Sequence, residues 1–216
     1  MASEAIHGGG RKAVICGVDF DNTVVQYDGV LAGIARERGL IDRADGDSKR
    51  KIRDRIRKLP NGEIEWQRCQ ALLYGSRIGE ARLAEGALQF LKLCNRNGVK
   101  VYIVSHKTEY SRYDTARTNL RKAAREWMAA HELFGTGGLA PQDIFFADTR
   151  REKIERITTL HCTHFIDDLE ETFLEKAFPS GTTRILYEPG RESPPPAGVR
   201  LMTSWQDISE HFFGRI

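Results

Sequence analysis

AVICGVDFDNT, residues 13–23, is the stretch that decides the fold. Its first part, Ala13 to Val18, is apolar and partly β-branched, which predicts a buried strand. Asp19 and Asp21 follow where that strand ends and the chain turns into a loop. Ligands bind outside the carboxyl ends of the strands in open α/β sheets. Because carboxylates are costly to bury unless a cation or a reaction uses them, the stretch indicates a functional site.

Two later segments show the same pattern, an apolar strand that ends in polar side chains. VYIVS, residues 101–105, ends in a hydroxyl, and HFIDD, residues 164–168, ends in two carboxylates. Between them, Lys153 lies on a polar stretch at the beginning of a predicted helix. Neither Ser105 nor Lys153 would mean much alone, since a lone serine can cap a helix and Arg150 could replace the lysine as the local cation.

Together these four fragments resemble the motifs of the haloacid dehalogenase-like (HAD) superfamily. The family's motifs are DxDx(T/V), a strand ending in Ser or Thr, a Lys, and a strand ending in two Asp, and all four occur here in that order. The resemblance covers roughly residues 12 to 190. It implies an α/β fold, a Rossmann-like core with a parallel sheet and helices on both faces.

Apolar periodicity places the elements of this fold along the chain. One predicted helix has Ile52, Ile56 and Leu59 on a single face. The basic stretch between Lys49 and Lys58 is interpreted as a solvated face; the alternative is that it holds an acidic substrate or nucleic acid. Further helices are expected over residues 63–74, 87–94, 113–133, 152–160 and 205–213, and further strands over 143–147, 163–166 and 183–187. Strands that alternate with helices favour a parallel sheet.

The domain organisation follows from the long helical segment after the first motif. We predict a core domain of residues 11–26 and 84–216, an α-helical cap of residues 27–83 and a flexible tail of residues 1–10. In the HAD family, a helical insertion between the first two motifs is a type 1 cap, a lid over the active site.

The resemblance also implies roles for the motif residues. Asp19 would be the nucleophile that forms an aspartyl-phosphate, and Asp21 would be the general acid and base. Ser105 and Lys153 would hold the phosphoryl group and offset its charge. Thr23 and His106 are further candidates for phosphate or substrate binding, although each could simply shape its loop.

A magnesium ion is the implied cofactor, since carboxylate oxygens and waters suit its octahedral coordination. Its expected ligands are the carboxylates of Asp19 and Asp167 and the backbone carbonyl of Asp21. Asp168 would act through a water or orient the site, and it could instead cap the helix that follows it.

Asp21 separates the chemistries that the family carries out. Members that cleave carbon–halogen bonds lack an acid at this position, because halide leaves unprotonated. The sequence therefore predicts a Mg²⁺-dependent phosphatase acting on a small phosphorylated metabolite. The alternatives are a phosphomutase, a nucleic-acid end phosphatase and an inactive phosphate-binding protein of the same fold.

Composition limits the possible partners and location. The 216 residues include 40% hydrophobic and 29% charged residues, with a net charge of +3, so nucleic-acid binding is unlikely on charge grounds. No apolar run approaches the roughly 20 residues of a membrane span, and residues 1–10 do not resemble a signal peptide. The four scattered cysteines suit reduced thiols and a cytoplasmic location. The sequence does not indicate the oligomeric state.

Overall fold

A six-stranded parallel sheet lies at the centre of the protein. The computed structural model describes residues 13–42 and 49–214. In chain order the strands are β1 (Ile15–Val18), β2 (Val25–Gln26), β3 (Arg82–Leu83), β4 (Lys100–His106), β5 (Ile144–Ala147), β6 (His164–Asp167), β7 (Thr183–Tyr187) and β8 (Val199–Met202). The sheet order is β5-β4-β1-β6-β7-β8, and every neighbouring pair is parallel. The strand that carries the first motif is therefore flanked by the strands of the second and fourth.

Helices cover both faces of this sheet. In chain order they are α1 (Asp28–Glu37), α2 (Lys49–Arg57), α3 (Gly62–Tyr74), α4 (Ala87–Arg96), α5 (Leu120–Ala130), α6 (Arg150–Thr159), α7 (Glu170–Leu174) and α8 (Trp205–Phe213). Because strand side chains alternate between faces, Ile103 and Val104 belong to two separate buried apolar clusters. This α/β architecture confirms the predicted fold class.

Helices α1, α2 and α3 belong to the segment of residues 27–83 that we call the cap; its role as a lid stays a prediction. They contact one another, and they lie in the chain between β2 and β3, which pair in an antiparallel two-stranded sheet. The sequence did not predict β2 and β3, because two-residue strands are too short to show a periodicity. The pair brings the two ends of the helical segment together beside the end of β1.

Several predicted boundaries were wrong. The helix expected from residue 113 begins at Leu120, where the side chain of Asn119 caps it by accepting a hydrogen bond from the Lys122 amide. Leu59 lies beyond the end of α2 and is 37% exposed, so only Ile52 and Ile56 are buried on that face. Strand β8 was not predicted, since it follows a proline-rich loop and is only four residues long.

Two other features of the chain bear on the predictions. Within the described residues, no helix combines the length and the apolar character that crossing a bilayer would require. The predicted tail of residues 1–10 lies outside the described residues.

Gly17 permits the close contact between β1 and β6 just before the first motif. A Cβ atom at Gly17 would lie 2.5 Å from Cδ2 of Phe165, its register partner in β6. Phe165 is fully buried, and its ring centroid is 5.4 Å from Lys153 Nζ. Any larger residue at position 17 would therefore push Phe165 toward the site.

We expect Gly17→Ala to destabilise the protein by about 1–3 kcal/mol, because overpacking in a closed core forces side chains and backbone to shift. Gly79→Ala is the matched control, since a Cβ at Gly79 meets no atom within 4 Å. Urea unfolding of both variants checks this expectation. Equal stabilities for the two variants would show that the β1–β6 contact is not tight at Gly17.

Candidate active site

The parallel sheet brings three motif residues together at one edge. Asp19 directly follows β1, Ser105 is near the end of β4, and Asp167 ends β6. Val18 pairs in register with Ile103 of β4 and with Ile166 of β6. The Asp19 amide continues this pairing by donating a 2.8 Å hydrogen bond to the Ile166 carbonyl. The carboxyl ends of the three central strands therefore share one small region.

Lys153 joins two of these strand ends. It lies in the first turn of α6, a helix capped by the Thr149 side chain, which accepts a hydrogen bond from the Glu152 amide. Its Nζ lies 2.6 Å from Asp19 Oδ1 and 2.7 Å from Asp167 Oδ2. All three side chains are almost completely buried, so neither carboxylate nor ammonium is left as an isolated charge.

Burial and crowding alter the protonation of this group. Burial raises the pKa of Asp19 from its ordinary value of 3.8 to about 6; Lys153 counteracts this, while the charges of Asp167 and Asp21 add to it. Burial, and next the charge of Asp167, raises the pKa of Asp168 well above its usual range. Burial alone would lower the pKa of Lys153, but the two carboxylates outweigh it and the pKa is raised. The raised pKa values of Asp19 and Asp168 indicate that the carboxylates in the site outweigh its positive charges.

Carboxylates at this edge could hold a divalent cation. Asp19, Asp167 and Asp168 each offer an oxygen, and these oxygens lie within 4.8 Å of one another. Asn22 Nδ2 donates a 3.2 Å hydrogen bond to Asp168 Oδ2, which orients that carboxylate. Hard oxygen donors suit Mg²⁺, and a cation would relieve the crowding that raises the two pKa values. The residues present therefore fit the ion that the sequence suggested.

Asp21 is held by two side chains, Tyr27 and Lys107. The Tyr27 hydroxyl donates a 2.6 Å hydrogen bond to Asp21 Oδ1, and Lys107 Nζ lies 3.1 Å from Oδ1 and 2.9 Å from Oδ2. Lys107 is only 3% exposed. These contacts fix the direction of the carboxylate two residues after Asp19.

Lys107 was missed by the sequence analysis. It stands two residues after Ser105, and alternate residues of an extended strand share a face. A lysine at that spacing from the motif serine was the available signal, although strand β4 itself ends at His106.

The cap contributes a lysine and a tyrosine next to this group. Lys49 Nζ donates a 2.9 Å hydrogen bond to the Tyr74 hydroxyl, and the Tyr74 ring centroid lies 4.5 Å from Lys107 Nζ. The rings of Tyr74 and Tyr27 pack edge to face at 5.3 Å. The predicted solvated face of α2 exists, with exposed residues such as Arg50, Lys51 and Arg55. Lys49 departs from it, because it is half-buried and contacts Tyr74.

The remaining predicted site residues occupy different surroundings. Ser105 is 1% exposed, and its hydroxyl makes no hydrogen bond within the described part of the chain. Thr23 is fully buried; its carbonyl accepts a bond from Trp205 Nε1, while its hydroxyl has no partner among the described residues. His106 is exposed, and its Nε2 lies 3.0 Å from the Asp148 carbonyl, where it links two neighbouring loops. Asp168 does not cap α7, which begins after Leu169.

Comparison with known proteins identifies the fold. No protein-family model matches the sequence, and no curated protein is similar to it in sequence. Among solved structures, a HAD family hydrolase from Deinococcus radiodurans R1 with bound phosphate and sodium has a TM-score of 0.57 at 15% identity, covering 93% of this chain and 95% of that one. A predicted phosphoglycolate phosphatase from Haemophilus somnus has a TM-score of 0.57 at 14% identity, covering 94% and 100%.

A third similar structure, a HAD hydrolase from Bacillus subtilis bound to magnesium, has a TM-score of 0.55 at 13% identity and covers 94% of this chain and 99% of that one. The protein therefore has the fold of the HAD hydrolases, as the motifs predicted. At these identities the likeness concerns the fold; the roles of individual residues depend on the geometry described above.

We expect Asp19→Asn to stabilise the protein in the absence of divalent cations. The pKa of Asp19 is raised in the folded state, so the folded protein binds a proton more tightly than the unfolded chain does. Its stability therefore falls as the pH rises from about 4 to about 6, and at pH 7 the ionised carboxylate costs up to about 3 kcal/mol.

Thermal unfolding in EDTA between pH 4 and pH 8 checks this. Asp19→Asn should raise the melting temperature at pH 7 by several degrees and flatten the pH dependence, and added Mg²⁺ should stabilise the wild type more than the variant. Glu171→Gln, a change at an exposed carboxylate, is the control. A lower melting temperature for Asp19→Asn than for the wild type in EDTA would contradict this account.

Proposed function

We propose that the protein is a Mg²⁺-dependent phosphatase that hydrolyses a small phosphate monoester through an aspartyl-phosphate on Asp19. The observation that carries the proposal is the pair of differently held carboxylates, two residues apart. Asp19 contacts Lys153 at the sheet edge, whereas Asp21 is directed by Tyr27 and Lys107. These different contacts support the proposal that Asp19 is the nucleophile and Asp21 the acid and base.

In the first step an Asp19 oxygen attacks phosphorus and the bond to the leaving oxygen breaks. Asp21, in its protonated form, gives its proton to that oxygen. Lys153 lies within hydrogen-bonding distance of Asp19 and offsets the negative charge that nucleophile and phosphoryl group bring together. The Ser105 hydroxyl has no other partner in the described residues and can donate to a phosphoryl oxygen.

In the second step a water molecule attacks phosphorus, and the bond to Asp19 breaks. Asp21, now ionised, accepts a proton from that water, which returns both carboxyl groups to their starting states. Asp19, Asp167 and Asp168 would hold Mg²⁺ with their carboxylate oxygens, together with the Asp21 backbone carbonyl. When bound, the ion neutralises charge on the phosphoryl oxygens and fixes their position.

The charges of the innermost side chains support this arrangement. The carboxylates of Asp19 and Asp167 share one ammonium, that of Lys153. A divalent cation would offset the remaining negative charge and so favour the approach of a phosphate dianion.

The position of the cap supports the proposal that the substrate is small. Asp19, Lys107 and Lys153 are each 4% exposed or less, and Tyr74 of the cap covers Lys107. A substrate must therefore be enclosed between cap and core, which excludes water and bulky groups. The free, buried state of all four cysteines supports a reducing, cytoplasmic location.

Phosphate release from p-nitrophenyl phosphate tests the proposal. We expect the wild type to release phosphate only with Mg²⁺, and Asp19→Asn to be at least about a thousandfold slower. Trapping of phosphoaspartate at position 19, detected by mass spectrometry, would identify the nucleophile. A wild type that neither releases phosphate nor becomes phosphorylated by any donor would refute the proposal.

The acid role of Asp21 predicts a dependence on the leaving group. Asp21→Asn should slow hydrolysis of propyl phosphate by about 10²–10⁴-fold, because an alkoxide needs a proton to leave. The variant should slow hydrolysis of 2,4-dinitrophenyl phosphate far less, since that leaving group departs as an anion.

Lys107→Met should reproduce this selective loss more weakly, because it removes one of the two side chains that direct Asp21. Lys107→Arg should restore part of the propyl phosphate rate. Lys122→Met, at an exposed position of α5, is the control. An equal loss on both substrates would mean that Lys107 does not act through Asp21.

A further inference from the structure

Lys49 is a charged side chain at the boundary of cap and core that the proposed chemistry does not use. It is the first residue of α2, and its side chain crosses from the cap toward the core carboxylates. Burial of the ammonium would lower its pKa, but Tyr74, Asp168 and Asp21 outweigh that effect and the pKa is raised. The ammonium is therefore charged at neutral pH inside the closed interface.

Most of the hydrogen-bond donors of the Lys49 ammonium have no acceptor among the described residues. A lysine ammonium has three N–H donors. Within the described residues, its one hydrogen-bond acceptor is the Tyr74 hydroxyl, at 2.9 Å, and no carboxylate forms an ion pair with it. The side chain is half-buried, and its unused donors can receive a further acceptor at this boundary.

The nearby carboxylates are already occupied. Asp21 accepts from Tyr27 and Lys107, and Asp168 accepts from Asn22. These two influence Lys49 through their charge alone. Among the described residues, no carboxylate therefore accepts from Lys49 Nζ, and a bound ligand could supply that acceptor.

The position of Lys49 indicates which part of a substrate could reach it. Asp21, the proposed acid for the leaving oxygen, is held by Lys107, and the ring of Tyr74 lies between Lys107 and Lys49. The leaving group thus lies on the cap side of Asp21. Lys49 is about one aromatic side chain further along that side.

We infer that Lys49 determines substrate specificity by binding a second anionic group, a carboxylate or a phosphate, carried on the leaving group of the substrate. This inference rests on the proposed phosphatase function. Because Lys49 belongs to the cap and the phosphoryl site belongs to the core, a substrate with two anionic ends would contact both layers.

Three phosphate esters with the same three-carbon chain test the inference. They are propyl phosphate, 3-phosphooxypropanoate and propane-1,3-diol bisphosphate, which end in a methyl group, a carboxylate and a phosphate. We expect the wild type to have at least about tenfold higher kcat/KM for one of the two anionic esters than for propyl phosphate. The preferred ester distinguishes a carboxylate from a second phosphate.

Lys49→Met should remove this preference, mainly through a higher KM for the anionic ester, and leave propyl phosphate hydrolysis within about threefold. Lys49→Arg should keep part of the preference. Tyr74→Phe, which removes only the hydroxyl that accepts from Lys49, should keep all of it. Lys58→Met, at an exposed position just beyond α2, is the control. Thermal unfolding and a second variant, Lys49→Gln, separate a loss of specificity from a loss of folding.

The outcomes are distinct. A wild type without preference, or a Lys49→Met variant that slows all three esters equally, would overturn the inference while the phosphatase function stands. If the wild type hydrolyses none of the esters and no p-nitrophenyl phosphate, the proposed function fails and the inference fails with it.

Discussion

One buried ammonium holds the site together. Lys153 contacts Asp19 at the end of β1 and Asp167 at the end of β6, and all three side chains are nearly inaccessible to water. Removing the lysine would leave two uncompensated carboxylates in the core, which is far more costly than losing an exposed ion pair. The position of α6 relative to the sheet is thus tied to the charge balance of the site.

Two more lysines, Lys107 and Lys49, lie around that contact; we call them the outer layer. Lys107 extends from the end of β4 to Asp21, and Lys49 extends from the cap toward the same region, with Tyr74 between them. In the proposed function, the contacts of Lys153 would serve the phosphoryl group and its cation, and Lys107 and Lys49 would serve the leaving group. The fold could then keep one reaction while the cap sets the substrate.

The fold and the group formed by Lys153, Asp19 and Asp167 were predictable because their sequence signals are local. The apolar strands that end in Asp19, Ser105 and Asp167 predict a parallel sheet and the edge of that sheet where the candidate active site lies. The outer layer was not predictable. Lys49 belongs to a basic stretch in which its neighbours are solvated, so only the tertiary packing of α2 distinguishes it. Strand β8 and the β2–β3 pair were missed because their stabilisation comes from neighbours rather than from a periodicity of their own.

The strand order has a consequence for how the chain is made. Strand β1 is the central strand, yet its partners β4 and β6 lie about 85 and 150 residues later in the sequence, and Lys153 is 134 residues from Asp19. During synthesis, β1 therefore has no partner strand until β4 has emerged from the ribosome, about 85 residues later. Such distant pairings make folding slow and leave apolar strand edges open to other chains. The candidate active site is complete only after β6 has been made, although its first residue, Asp19, is made near the start.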